Sequence, residues 1–326
     1  MPAPGHHDHG KWQPGEGQSH RGGADDFIPK PFNQAELLAR VRSLLRIKQY
    51  HDTIQSQAAQ LAEWNRTLET RVQQQVEELK WKERLERELQ VAYEIQLSIL
   101  PHTLPAVEGY DFDARMMPAR AVGGDFFDFV PLSDAALGIA IDDVADKGVP
   151  AAIFMAQTHA LLRAEASHGA SPWEVLQQVN HQLVAMYAAR VFVTVLYGVL
   201  DRATGVFTYA RAGHELPLLC GPGAEMTLAP QGETLPLGIS TDSPVDEQTV
   251  VIPPDGTLLL YTDGITDARN PKGVRFGVDR LKATLLSGHR TSARTLCERL
   301  LHAVSTYQDT APQHDDIAVV AVHRVR

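Results

Sequence analysis

The 326-residue chain sets 30 Lys and Arg against 40 Asp and Glu, a formal net charge of −10, which argues against a surface built to neutralise nucleic-acid phosphates. Two cysteines are too few for a disulfide framework and point to a reducing compartment. No run approaches the roughly 20 apolar residues of a membrane span, and the first residues lack an apolar signal core, so the expectation is a soluble cytoplasmic protein with neither a membrane nor a nucleic-acid partner.

Residues 1–22 are mostly Gly, His, Pro and Gln, with Trp12 almost alone as an apolar group. That composition predicts a disordered head. His6, His7, His9 and His20 could hold a metal loosely, or the head is simply flexible. Over 23–46 the text changes to GADDFIPKPFNQAELLARVRSLLR. Asn33 with Glu36 three residues on forms a capping-box pattern, and Leu37, Leu38, Val41, Leu44 and Leu45 then recur at helical spacing. The Lys30-Pro31 pair and this helix resemble the last strand-loop and last helix of a response-regulator receiver domain. Only that end is present, preceded by the head, so the expectation is a remnant and not a phosphorylation-responsive receiver.

Residues 47–99 contain no Gly or Pro and are rich in Glu, Gln, Arg, Leu and Ala, which predicts one long helix. Leu61, Leu68, Val72, Val76, Leu79, Leu85, Leu89, Ala92 and Ile99 form a stripe with spacings near three, four and seven. The stripe slips between Leu79 and Leu85, fitting a weak parallel coiled coil and a homodimer through 47–99. A helix lying along its own catalytic domain is the other reading. The last turns, with Val91, Ala92, Ile95, Ile99 and Leu100, carry more apolar area than a two-stranded seam needs, so they are expected to dock on the domain that follows Pro101.

From residue 100 to 326 the pattern is mixed. Asp134–Ile141 reads as a buried strand, Pro150–Ala166 as an apolar helix with Pro in its first turn, and the stretch opened by Ser171-Pro172 as a second helix. Phe192–Leu200 and Val206–Ala210 form a hairpin across Asp201–Gly205. Leu216–Leu219 with Met226–Leu228, then Thr249–Ile252, Thr257–Tyr261 and Ile317–His323, supply further strands. Arg280–Leu286 and Ser292–Tyr307 supply helices. Hairpin-linked strands with grouped helices predict an α+β class of packed antiparallel sheets flanked by helices.

Four acidic clusters stand out: Val122–Asp128 (VGGDFFD), Ile141–Gly148 (IDDVADKG), Tyr261–Asp267 (YTDGITD) and His314–Ile317 (HDDI). The last three set an Asp against an apolar run, where a carboxylate is costly unless it is paired or bound to a cation. Strand-end turns would also use Gly and Asp. As a convergent set, carboxylates without Cys favour hard Mg²⁺ or Mn²⁺ over zinc.

These clusters, with Arg190–Leu200, Ala212–His214 and Leu235–Gly238 in fixed order, resemble the bacterial branch of the metal-dependent PP2C-type serine/threonine phosphatases. That group includes sporulation and stress-response regulators of sigma-factor pathways, and the likeness runs from about Glu94 to Val322. It implies a sandwich of two antiparallel sheets with two Mn²⁺ or Mg²⁺ ions in a cleft at the sheet edges. Asp143 would bridge both ions, with the Val144 carbonyl completing one of them. Asp263 and Asp315 would ligate the other, Asp125 would lie in the same centre, and Asp316 ranks below Asp315. Asp143 and Asp125 are the expected catalytic groups. Arg120, Lys147 and His214 are candidates for orienting substrate, each with an ordinary surface or structural role as the alternative. Asp142, Asp146 and Glu215 depart from the usual residues at their positions; the first two put extra negative charge beside the ions, where they would tighten metal binding or merely face solvent. The partner implied is a phosphorylated regulatory protein of the anti-anti-sigma kind. A phosphatase-fold scaffold that acts by partner switching is the rival.

Overall fold

Favourable helix formers uninterrupted by Gly or Pro run on as a single helix, α1 (Gln34–Ile99), longer at its N-terminal side than the 47–99 stretch. The computed structural model describes residues 28, 30–186, 191–229, 231–288 and 291–325, with the backbone alone at 227 and 228. The head over 1–22, and the start of the receiver-like stretch, lie outside the described residues. Asn33 caps α1 as expected: its Oδ1 accepts the Ala35 N–H at 2.9 Å, while Glu36 pairs with Arg40 one turn on at 3.2 Å. The chain divides into two compact units, Met1–Trp81 and Lys82–Arg326. In the first, the stripe residues Leu61, Leu68, Val72, Val76 and Leu79 all lie exposed along α1.

The second unit is the expected α+β sandwich. Among the described residues, ten strands form two five-stranded sheets in the orders β1-β10-β9-β6-β7 and β2-β3-β4-β5-β8. The first sheet uses β1 (Tyr110–Met117), β6 (Leu218–Cys220), β7 (Met226–Leu228), β9 (Thr257–Tyr261) and β10 (Ile317–Arg324). The second uses β2 (Phe126–Pro131), β3 (Ala136–Val144), β4 (Val193–Asp201), β5 (Val206–Ala212) and β8 (Asp246–Val251). Every pairing between them is antiparallel.

Alternation along β3 shows how the layers arise. Leu137, Ile139 and Ile141 point into the apolar layer between the sheets. Ala140 and Val144 point the other way, into a layer shared with α2 (Val149–Ala166) and α3 (Pro172–Met186). Because both faces are buried, the strand reads as one continuous apolar run. A third layer packs α5 (Gly277–Ser287) and α6 (Ala293–Gln308) on the outer face of the first sheet, with Cys220 and Cys297 buried in it. Both cysteines are packing residues, as their apolar surroundings in the sequence suggest.

Three elements were not legible beforehand: β1, β2 and the short helix α4 (Asp263–Thr266). β1 carries Asp111, Asp113 and Arg115, and β2 carries Asp128, so their charges obscure the strand pattern. Asp128 is fully buried and satisfied. It accepts from the Phe129 N–H, faces His159 Nε2 at 3.1 Å, and takes Arg163 Nη1 at 2.6 Å. His159 and Arg163 sit on α2, so this cluster fixes α2 to the sheet whose edge carries the site.

Candidate metal centre

Each sequence-marked Asp lies at a strand end on one edge of the sandwich. Asp125 immediately precedes β2 and Asp143 is the penultimate residue of β3. Asp263 opens α4 two residues beyond β9, and Asp315 and Asp316 precede β10. Each sheet therefore contributes to the cleft. Asp125 is buried, whereas Asp143, Asp263 and Asp315 are half-buried.

The electrostatics show that these groups share one field. Asp125 is pushed well up from the usual carboxylate range, by burial first and then by the charges of Asp143 and Asp316, against a hydrogen bond from Thr262. Asp143 is pushed up to about 7 by burial and by Asp263, with further pressure from Asp315 and Asp316. Asp263 rises to about 6 through burial and the charge of Asp315, while Lys147 pulls it back. Carboxylates held together against their own repulsion ask for a cation. Asp125 Oδ2 is buried and has no hydrogen-bond partner among the described residues. Hard oxygen donors and an orphaned carboxylate oxygen fit Mg²⁺ or Mn²⁺. Among the described residues, however, no three His, Cys, Asp or Glu side chains stand in a metal-holding arrangement.

Close packing explains the glycines of the motifs. A Cβ at Gly123 would come within 2.7 Å of Asp316 Oδ2, and one at Gly264 would overlap the Asp316 carbonyl. At Gly124 it would meet the Val144 carbonyl at 3.1 Å, so that carbonyl lies directly over the GGD turn. Asp316 is buried and accepts two backbone N–H groups, Ala119 to Oδ1 and Gly124 to Oδ2, both at 2.6 Å. Its carboxylate thus binds the loop before β2 to the start of β10.

The remaining sequence candidates separate. Lys147 reaches the centre: its Nζ is 3.0 Å from Asp315 Oδ2 and donates to the His314 carbonyl. Arg120 is exposed, with its guanidinium near Gly148. His214 is buried, 2.9 Å from Thr194 Oγ1, which in turn reaches the Asp143 carbonyl at 3.4 Å. Burial holds its imidazole down at about 4, so it is neutral at pH 7. Arg211, paired with buried Asp246, donates to the His214 carbonyl at 2.9 Å and fixes this turn.

Asp142 and Asp146 take different places beside the centre, the first buried and the second exposed. Asp142 is fully buried on the helix-side face of β3, where Oδ1 accepts the Phe126 N–H. Burial raises its carboxyl well above the usual range, with the charge of Asp143 adding to the rise and the Phe126 N–H opposing it. Asp146 has φ 81°, a left-handed backbone that favours Gly, and its Oδ1 accepts the Lys147 N–H at 2.8 Å. Asp is among the few residues that tolerate this conformation. Glu215 joins the rim: burial and Asp267 raise its carboxyl, and Tyr261 hydrogen-bonds it.

Sequence reasoning missed Gln96. It is buried at the end of α1, donates Nε2 to the Gly123 carbonyl at 2.6 Å, and accepts the Gly123 N–H at 3.1 Å. A Gln facing a Gly-Gly turn leaves no periodic signal. Leu100 is buried, and Ala92 and Ile99 are half-buried, so these turns dock as expected. Val91 and Ile95 stay exposed, contrary to expectation.

Two antiparallel sheets between helical layers, with acids from both sheets at one edge, define a PP2C-type phosphatase domain. Residues 133–325 match the family described as stage II sporulation protein E (SpoIIE). The chain is 32% identical to Protein IcfG of Synechocystis sp., over 73% of this chain and 41% of that protein. It is 27% identical to the phosphoserine phosphatase RsbU of Bacillus subtilis, over 74% of this chain and 71% of RsbU. Among solved structures, the SiaA PP2C domain of Pseudomonas aeruginosa superposes with a TM-score of 0.66 at 25% identity, covering 75% of this chain and 98% of that domain. The chain belongs to the SpoIIE family. It spans less than half the length of IcfG. Among the described residues no helix is long and apolar enough to cross a membrane.

Proposed function

We propose that this protein is a metal-dependent phosphatase that hydrolyses phosphoserine or phosphothreonine on a regulatory partner protein in bacterial signalling. The observation that carries the reading is the convergence of Asp125, Asp143, Asp263 and Asp315 from both sheets on one sandwich edge, where Asp125 Oδ2 is buried without a hydrogen-bond partner among the described residues. Kinship with the phosphoserine phosphatase RsbU supports the substrate class. Asp143, with Asp125 and the Val144 carbonyl, would hold one part of a two-ion Mn²⁺ or Mg²⁺ centre, and Asp263 and Asp315 the other. Bound there, such ions supply charge neutralisation for the phosphoryl group and activation of an attacking water. Asp316 serves the scaffold, since both its oxygens already accept backbone N–H groups. His214 positions Thr194 and the backbone of Asp143 as a neutral imidazole. Arg120, exposed at the rim, is the candidate for meeting substrate phosphate.

In this reading the phosphatase domain is 100–326, and the last turns of α1 dock on it through Gln96. Residues 47–99 are the dimerising linker, 23–46 the receiver remnant, and the partner a phosphorylated protein of the anti-anti-sigma kind in the cytoplasm. Mn²⁺-dependent release of phosphate from a phosphoserine protein, abolished by a chelator and untouched by thiol reagents, is the expected result.

A second reading, a scaffold that binds partners without hydrolysis, draws on the lack of a closed metal-holding group among the described residues. Calorimetric titration with Mn²⁺ separates the two. Binding that Asp143→Asn abolishes supports the enzyme, and no binding supports the scaffold.

A further inference from the structure

The β3–α2 turn delivers a positive charge into the acid cluster. Asp146 and Gly148, at φ 81° and 82°, bracket Lys147, and the Asp146 carboxylate holds its N–H. The backbone of Lys147 is thereby fixed on one sheet's edge, and its side chain crosses to the loop that precedes β10 on the other. There Nζ lies 3.0 Å from Asp315 Oδ2 and donates to the His314 carbonyl. Its charge also reaches Asp263.

An ammonium is a point charge with three donors and no acceptor. It shares the carboxylate that a hard cation, bound by oxygens at about 2.0–2.2 Å, would also use. Two positive charges held within about 4 Å of each other on one carboxylate repel, so each weakens the other's hold. The pair is also open to solvent, with the Lys147 side chain 29% and that of Asp315 35% exposed, so its strength is modest and the contact exchangeable.

We propose that Lys147 is a built-in competitor for the divalent cation at Asp315, and that this contest sets how much metal the protein needs. The proposal rests on the metal-centre reading above.

The test titrates Mn²⁺ into the full chain, following free Mn²⁺ by electron paramagnetic resonance, and pairs this with melting in chelator. Lys147→Met should tighten the weaker Mn²⁺ site by about two- to fivefold, the range expected for an exposed ion pair. It should also lower the melting temperature in chelator by about 2–4 °C, because the carboxylates lose their counter-charge. Lys147→Arg should stay near wild type in melting. In an Asp315→Asn background the Lys147→Met effect on Mn²⁺ should vanish, because the contested carboxylate is gone. Unchanged or weaker Mn²⁺ binding by a folded Lys147→Met protein would overturn the proposal. Asp143→Asn is the separate control: if it leaves Mn²⁺ binding intact, the metal-centre reading itself fails.

Discussion

A turn residue and a buried imidazole show how single positions in this site are set by physics that sequence spacing does not carry. Asp146 stands at φ 81°, so Asp146→Gly should hold stability within about 0.5 kcal/mol, whereas Asp146→Ala should cost about 1–2 kcal/mol. Chemical denaturation of both variants checks this. For His214, the folded value of about 4 lies below the ordinary 6.5. The unfolded chain therefore binds the proton more readily, and the stability contributed is full above pH 6.5 and lost as pH falls toward 4. At pH 5 the loss amounts to about 2 kcal/mol. Asp143 and Asp263, raised to about 7 and 6, act with opposite sign and lose stability as pH rises through those values. Comparing His214→Asn with wild type between pH 5 and 7.5, both in chelator, isolates the imidazole. The variant should show a pH dependence shallower on the acid side by that amount, and an identical slope would contradict it. The acids were legible in the sequence because an Asp at the end of an apolar strand is anomalous. Their separate fates were not, because Asp142 and Asp143 differ only in the face of β3 to which each points.

At the scale of elements, the junction of α1 with the GGD turn is the contact with most leverage on the site. Gln96 satisfies both backbone groups of Gly123, two residues from Asp125. Gln96→Ala would leave a buried N–H and C=O unpaired, at a cost of about 1–3 kcal/mol. The expected outcome is faster amide exchange over 122–125 and a higher Mn²⁺ requirement. Exchange equal to wild type would show that the turn holds itself. The sequence foretold that these last turns dock, through their apolar excess, but it favoured Ile95, which the structure leaves exposed. The anchor is polar, and polar anchors have no period. Strands β3, β4, β9 and β10 were readable from apolar runs buried on both faces. β1 and β2 were not, since Asp113 and Asp128 interrupt them and find their partners, Arg115 and the His159–Arg163 pair, only once the chain is folded.

For the whole molecule, the exposed stripe of α1 and the sandwich edge pose separate questions. Leu61, Leu68 and Leu79 are each about three-fifths exposed, more apolar surface along one helix than a lone helix in water sustains. Burial against a second copy is the expected remedy. Light scattering should give a dimer for the full chain and a monomer for residues 101–326, and a monomeric full chain would refute the coiled coil. The α+β architecture followed from hairpin spacing and the resemblance to PP2C-type phosphatases. The contact of Lys147 with Asp315 did not, because it joins loops far apart in the chain.

The central claim is that carboxylates from two sheets form one metal-dependent hydrolytic centre, and Asp143 tests it most directly. Asp143→Asn keeps the side chain's size while removing the charge that both ions would share. Mn²⁺-dependent turnover of a phosphoserine protein by the folded variant should fall by about 10³-fold, near 4 kcal/mol of barrier. Turnover close to wild type at the same Mn²⁺ concentration would contradict the account.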